Sequence, residues 1–386
     1  MLSWDVIEHG KPLQKAMRET PRPKGTEVLV RITRSGVCHS DLHIWDGYFD
    51  WGGGRRFYVK ERGCVPPFTL GHEPLGVVEA VGKRAKGVKV GQKRLVFPWI
   101  GCGKCVVCKA GQDNYCVSGS RFLGVNVPGA YSTHVLIPDP KYLVDTTGID
   151  DSFASTLACS ALTAYSAINK IPALAPKDAV AVLGCGGLGL IAVSILRARG
   201  VRNIVACDID DAKLAAAVRL GAKRTVNTLA PDAAQQLAGI AAAIDFVGAP
   251  STAALGIGAL RKGGRYVICG LFGGELVYPL PPIAQRAIGI VGSYVGSLQE
   301  LKEVVALAKK RKLRSAPVET RPADEANVRQ GLLGGFWAAS VEAPGATQSA
   351  LSALTGSSRP AHQDGQEDQL DPDQPTEAPN EPTQQG

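Results

Sequence analysis

Ten cysteines stand in this chain, and their spacing rather than their number carries chemistry. Cys102, Cys105, Cys108 and Cys116 are separated by two, two and seven residues, a run in which four thiolates can close a tetrahedral shell on zinc. A shell closed by protein leaves no position for a substrate, so such a site is structural and would pin a lobe with little core of its own. Cys38, His72 and Cys159 form a second, dispersed set. Two thiolates and one imidazole would leave zinc a fourth position open to a substrate oxygen. Spacing does not show that these three converge, and Cys159 on an apolar helix reads by itself as a core residue. Cys38 belongs to the octet Gly36 to His43 (GVCHSDLH). There Ser40 and His43 can pass a proton, and Asp41 can orient a neighbouring imidazole.

A third signal is Gly184-Cys185-Gly186-Gly187-Leu188-Gly189. A lone G-x-G-x-x-G is weak, but this one follows a strand-like stretch and opens a helix-like one. Gly184 permits the tight turn, Gly186 lets the backbone approach a pyrophosphate, and Gly189 lets helix and strand pack closely. Gly187 and Leu188 start the helix, where free N–H groups and the dipole favour an anion. Asp208, 19 positions beyond Gly189, ends the next expected strand and can take ribose hydroxyls while repelling a 2′-phosphate.

The elements that must position these residues follow two patterns. Residues 24–145 read as short alternating strands, Glu27–Thr33, Gly76–Val81, Lys93–Phe97 and Ala130–Pro138, in a barrel or rolled sheet. Trp45 to Phe68 reads as a long irregular loop near a pocket or interface. Its Trp45, Tyr48, Phe49 and Trp51, with Phe97 and Trp99, are candidates to wall a substrate pocket.

From about Ser155 the period changes. Helices at Ser155–Lys170, Leu188–Arg199, Ala212–Leu220 and Ser251–Leu260 alternate with six strands: Ala179–Leu183, Asn203–Cys207, Arg224–Asn227, Ala243–Val247, Arg265–Cys269 and Gly289–Gly292. That predicts an α/β, doubly wound parallel sheet. A helix at Leu298–Lys310 and an extended piece at Pro317–Pro322 return to the first domain. The expected division is 1–154 with 293–327, then 155–292, then an atypical 328–386. The last part is rich in Ser, Gln, Pro, Asp and Glu, the composition of a disordered tail. Within it Val328 to Ala343 is more apolar, sits where a helix should precede a final strand, and is expected to pack loosely.

The formal charge of +8 hides an asymmetry: the chain from Val328 carries −6 and the body +14. A basic body suits phosphate-bearing ligands, but no Lys/Arg run interleaved with aromatics argues for nucleic acid. The start of the chain lacks a basic and then apolar leader pattern, and the uncharged run Ala179 to Leu196 is broken by glycines as a strand, turn and helix would be. The expected setting is therefore cytoplasmic and away from membranes, where clustered cysteines mean metal rather than disulfides.

Gly71 to Gly82 reads G-H-E-x2-G-x5-G, and Ala158 to Tyr165 reads ACSALTAY. With the octet and the four-cysteine run, these make the chain resemble the zinc-dependent medium-chain alcohol dehydrogenases as far as about Asn327. The resemblance is to their bacterial and archaeal tetrameric branch, which has a similar extended loop and a pair like Pro98-Trp99. It implies a GroES-like catalytic domain beside a Rossmann domain, two zinc ions per chain and NAD. It implies that Cys38, His72 and Cys159 bind the catalytic zinc, with Glu73 as an alternating ligand and Asp41 bonded to the His72 ring. Ser40 and His43 would relay the proton. His39 would face the cofactor pyrophosphate, Lys213 would touch the cofactor, and Gly270, Leu271 and Val295 would line the nicotinamide. The implied partners are a small alcohol or aldehyde and further copies of the chain, as dimer or tetramer.

One departure stands out. Members of that family end in a helix and a terminal strand, whereas here the chain runs through Val328 to Trp337 into low complexity. The loss of that strand would expose a sheet edge and hinder assembly. The competing reading is accordingly a catalytically impaired, zinc-stabilised binding or regulatory relative.

Overall fold

The structure is a computed structural model, and it describes residues 1–315 and 318–323 and the backbone of 339–342. Its first sheet is organised on the strand Val28–Val37, whose Val28, Val30 and Ile32 are fully buried. This strand pairs antiparallel with Pro74–Val81, Val30 opposite Val78 and Ser35 opposite Pro74. Pro74–Val81 continues the sheet to Lys93–Val96 and Leu143–Val144. The other side of the central strand is shared. His134–Ile137 covers Val28 to Arg31, and Ala339–Glu342 covers Arg34 to Val37. Glu319–Pro322 then pairs parallel with Ala339–Glu342.

That register positions the chemistry. The central strand stops at Cys38, which caps the helix His39–Asp46, and Pro74–Val81 begins directly after Glu73. The Gly36 N–H donates to the Glu73 carbonyl at 3.0 Å, so the octet and the Gly-His-Glu motif lie side by side.

The second sheet is parallel and six-stranded, in the order Arg224–Asn227, Ile204–Asp208, Val180–Leu183, Ile240–Asp245, Leu260–Ile268, Gly289–Gly292. Chain order reverses between Val180–Leu183 and Ile240–Asp245, the switch point at which open α/β sheets leave a crevice for ligands. Both strands are buried along their whole length, as expected for a sheet covered on both faces. The helix Leu298–Lys309 starts at Ser297, whose hydroxyl accepts the Glu300 N–H at 3.2 Å while Glu300 returns to the Ser297 N–H at 2.8 Å. This reciprocal cap stabilises the start of the helix by about 1 kcal/mol. The helix packs on Leu162–Ile168 and on the turn Leu157–Ala161 that carries Cys159. No helix among the described residues is long and apolar enough to cross a membrane.

Several expectations change in detail. The stretch after Trp45 is not wholly irregular: Tyr48–Asp50 and Arg56–Tyr58 form a hairpin closed by the triple-glycine turn. Leu2–Val6 and Gln14–Met17 make a further small sheet with Phe68–Thr69 that was not anticipated. The strand expected at Ala243–Val247 begins at Ile240, because a run of alanines carries no period to mark its start. A sheet edge was expected to lie open in the first domain, but Ala339–Glu342 pairs along Arg34 to Val37, so this piece of the atypical terminus is strand and not loose packing. The remainder of the expected disordered tail, and of the apolar piece before it, lies outside the described residues.

Two shortened chains isolate that strand. A chain ending at Ala338 loses pairing on both sides of Ala339–Glu342, whereas one ending at Ala346 keeps it. The shorter form should melt on the order of 5 °C below the longer, from a loss of about 1–3 kcal/mol in a protein of this size. Equal Tm values in scanning calorimetry would remove the strand's stabilising role.

Candidate active site

Cys38, His72 and Cys159 converge. Their ligand atoms all lie within 4.8 Å of one another, and none of the three is more than 7% exposed. Each comes from a different element. Cys38 ends the central strand, and His72 sits just before its neighbour. Cys159 lies in a wide π-helical turn, Leu157–Ala161, set into the helical stretch between Asp151–Thr156 and Leu162–Ile168. Such widened turns are rare and concentrate at functional sites. Continuous helix had been expected here, and the wider turn is what presents Cys159 to the other two residues.

Asp41 orders the cluster from one turn into its helix. Its fully buried carboxylate accepts the Cys38 N–H at 3.0 Å, the Gly71 N–H at 3.4 Å and the Tyr131 hydroxyl at 3.3 Å. His72 Nδ1 stands 3.1 Å from Asp41 Oδ1, within ion-pair distance but without a hydrogen bond between them. Burial alone would lower the His72 pKa, but Asp41 overrides it and holds the imidazole well above its ordinary value. The other ring nitrogen, Nε2, is buried without a hydrogen-bond partner. An unpartnered buried nitrogen beside two thiols suits a metal ligand and is costly otherwise. A hydrogen bond from the Cys159 thiol, helped by His72, keeps Cys38 well below the ordinary thiol range, and Cys159 is raised in return. One thiolate is therefore already favoured.

Glu73 lies behind this cluster. Its Oε1 accepts the Ser160 N–H at 3.1 Å and the Ser160 hydroxyl at 2.9 Å. Burial, then the charge of Cys38, push its carboxyl up to about 8. A Cβ built on Gly36 would land inside the Glu73 carboxylate, so glycine is required there for steric reasons.

Aromatic rings close one side. Trp99 packs its ring 5.5 Å from the His72 ring and donates from Nε1 to the Ala158 carbonyl at 3.1 Å. Phe122 and Tyr294 stand 5.6 Å and 6.1 Å from Trp99. Phe49 lies 4.8 Å from His43. Of the six aromatic residues expected to wall a pocket, Trp99 and Phe49 adjoin the site. Trp45 and Phe97 are core residues, Tyr48 lies under the Arg56 guanidinium at 4.1 Å, and Trp51 is 55% exposed and stacked on Phe57. Ser40 and His43 are half-buried and one turn apart on the same helix, with exposed His39 5.2 Å from the His43 ring. Burial first, then His39, lower the His43 pKa, which leaves a neutral ring with a buried, unpartnered Nε2.

The four-cysteine run also gathers, with all four sulfurs within 4.8 Å of one another. Cys105 and Cys108 sulfurs are 3.4 Å apart and Cys102 and Cys108 sulfurs 4.0 Å apart. A tetrahedral zinc with 2.3 Å bonds needs sulfurs about 3.8 Å apart, so the set fits. From the same lobe, Asn114 donates to the Tyr294 carbonyl at 3.2 Å, tying the lobe to the ring that walls the first cluster.

The glycine-rich turn lies at the switch point. Gly184 has φ +84°, and a Cβ there would press on Val247 Cγ2 at 2.6 Å. A Cβ on Gly189 would strike the Gly184 carbonyl, and Gly186 faces open space. The helix Gly187–Ala198 has no side-chain cap, so its first N–H groups, including that of Leu188, are free for an anion. Asp208 is held by the Cys185 N–H at 2.6 Å and the Ile209 and Asp210 N–H groups at 2.9 and 3.0 Å. Lys213 is half-buried in the first turn of the next helix. Gly270 packs against Val247, Leu271 is 50% exposed, and Val295 adopts φ +40°, a strained value for a β-branched residue.

Tyr131 and Ser160 were missed by sequence reasoning. Ser160 follows Cys159 directly and was open to suspicion. Tyr131 lies 90 residues from Asp41 and carries no local signal.

Comparison with known proteins agrees with this geometry. Residues 24–147 match the alcohol dehydrogenase GroES-like domain, and residues 187–310 match the zinc-binding dehydrogenase family. An NAD-dependent alcohol dehydrogenase of Sulfurisphaera tokodaii is 35% identical, over 85% of this chain and 94% of that protein. Another, from Saccharolobus solfataricus, is 36% identical, over 83% of this chain and 93% of that protein. The crystal structure of the alcohol dehydrogenase from Aeropyrum pernix superposes with a TM-score of 0.79 at 31% identity, covering 89% of this chain and 100% of that one.

The contact between Gly36 and Glu73 makes a test. Gly36→Ala should destabilise the protein by about 1–3 kcal/mol through overpacking. Adding Glu73→Ala should recover part of that loss, since the carboxylate is what the new methyl meets first. Strictly additive losses in a double-mutant cycle would show that the two residues do not oppose each other.

Proposed function

We propose a function from one plain premise: this chain belongs to the zinc-dependent alcohol dehydrogenase family. On that premise the protein interconverts alcohols with aldehydes or ketones, with NAD as hydride carrier. The observation that carries this reading is the buried Cys38, His72 and Cys159 set with its unpartnered His72 Nε2. Two sulfurs and one nitrogen are the donors of an open zinc site, and Glu73 behind them is the alternating ligand. When bound, zinc supplies a Lewis acid that lowers the pKa of an alcohol, and NAD supplies the hydride acceptor.

The chain's own residues supply the rest. Asp41 fixes the His72 ring, so that Nε2 faces the two thiols. The Ser40 hydroxyl takes the substrate proton and His43, neutral near pH 7, passes it toward solvent. Trp99, Phe49 and Tyr294 exclude water from the reacting oxygen and favour medium-length or aromatic primary alcohols over polyols. The free end of Gly187–Ala198, with Gly184, Gly186 and Gly189 leaving room, holds the pyrophosphate opposite His39. Asp208 receives the ribose hydroxyls and Lys213 lies beside them. Gly270, Leu271 and Val295 line the nicotinamide side. Cys102, Cys105, Cys108 and Cys116 hold a second, structural zinc.

Exposed Phe272, Val277 and Leu280, and the open edge strand Gly289–Gly292, support assembly into a dimer or tetramer, and the cytoplasm is the inferred setting. Strand Ala339–Glu342 supplies pairing that the impaired-relative reading takes to be lost, so the enzyme reading is preferred.

Turnover and stability should separate between the two cysteine sites. Cys38→Ala should abolish NAD reduction with little change in Tm, and Cys105→Ala should chiefly lower Tm. The unaltered protein should favour NAD over NADP by more than about tenfold in kcat/KM, the discrimination expected when a carboxylate meets the ribose. Undiminished turnover by Cys38→Ala, or parity between the cofactors, would overturn these assignments.

A further inference from the structure

A basic groove of about 490 Å³ lies on the outer face of the parallel-sheet domain. It is lined by Ser194, Arg197, Arg219, Arg311, Lys312 and Arg314, over a short apolar floor. Arg197 sits ten residues along its helix from Gly187, about 15 Å from the glycine-rich turn, so the groove is distinct from the cofactor crevice. No carboxylate lines it, and among the described residues none of its five cations is in an ion pair. Other basic residues do find acids, as Arg261 finds Asp178 and Lys309, two residues before Arg311, finds Asp145.

Ordinary helix chemistry accounts for only part of this. Arg197 and Arg219 occupy last turns, where the dipole attracts cations. Arg311 and Lys312 follow the end of Leu298–Lys309 directly, their N–H groups bonding the Ala308 and Leu307 carbonyls, so the same dipole reaches them, whereas Arg314 lies beyond its reach. Arg311 adopts φ +53°, a left-handed position that glycine would fill without strain and an L-residue occupies at about 1 kcal/mol. Gly221, at φ +115°, leaves room for the Arg197 stem, which a Cβ would meet at 2.9 Å. Ser194 is 2% exposed, and its oxygen accepts the Arg314 N–H at 2.8 Å. That leaves the hydroxyl proton available as a further donor.

Five exposed like charges around one groove concentrate positive potential there and favour a multivalent anion. We propose that this groove is a second anion site, which binds a short oligophosphate chain. Guanidinium forks match phosphate oxygens two at a time, and a chain of three phosphates brings about as many charges as the groove presents. With no aromatic ring in the lining, the phosphates are read and not a nucleobase. Binding stabilises the folded protein and weakens as salt rises.

The test is calorimetric titration of inorganic tripolyphosphate into the full chain already saturated with NAD, which occupies the glycine-rich turn. One site is expected, with citrate binding more weakly. Arg219→Glu with Arg314→Glu should lower tripolyphosphate affinity by about tenfold or more while kcat and the KM for NAD stay unchanged. The milder Arg219→Ala with Arg314→Ala should lower it in the same direction, and its Tm without ligand checks that the fold is kept. No heat on titration, equal affinity for citrate, or unchanged affinity in both variant pairs would overturn the proposal.

Discussion

The buried carboxylate of Asp41 is the constraint on which the cysteine–histidine centre depends. A charge removed from water is tolerated only when its oxygens are occupied. Asp41 meets that demand with the Cys38 and Gly71 N–H groups, the Tyr131 hydroxyl and the Nδ1 of His72. These partners come from three segments, so satisfying one carboxylate draws the octet, the Gly-His-Glu turn and the bend at Tyr131 together. Tyr131 keeps its proton because burial and the charge of Asp41 both raise its pKa, so it remains a donor.

Backbone register completes the arrangement. Ser35 opposite Pro74 puts Gly36 against Glu73, and the missing side chain at Gly36 is the space that Glu73 fills. The π-helical turn then brings Cys159 from the far side, and Ser160 beside it bonds Glu73. The second cysteine site works through position rather than chemistry. Its lobe carries Asn114, which holds the Tyr294 backbone, and the Tyr294 ring packs on Trp99 over His72.

Much of this was legible in the sequence because it is local. Four cysteines within fifteen residues, or a glycine run between a strand and a helix, announce their geometry through spacing. The sixfold alternation of strands and helices was equally plain, since each element carries its own period. Convergence of Cys38, His72 and Cys159 could be reached only through resemblance, because a register between distant strands sets it. The aromatic residues show the same limit: Trp45 and Trp99 look alike in sequence, yet one fills a core with Trp4 and the other walls the site. Ala339–Glu342 lies within the apolar piece Val328 to Ala343, but nothing in its residues marked it as a strand. It pairs with Arg34 to Val37, a register between distant segments that local spacing does not show.

The most direct test of the central claim is the anomalous scattering of zinc from crystals of the protein purified without chelator. The account predicts two peaks per chain. One should lie within bonding distance of Cys38 Sγ, His72 Nε2 and Cys159 Sγ, about 2.0–2.3 Å, and the other amid Cys102, Cys105, Cys108 and Cys116. A single peak in the four-cysteine lobe, with His72 Nε2 turned to another partner, would contradict it.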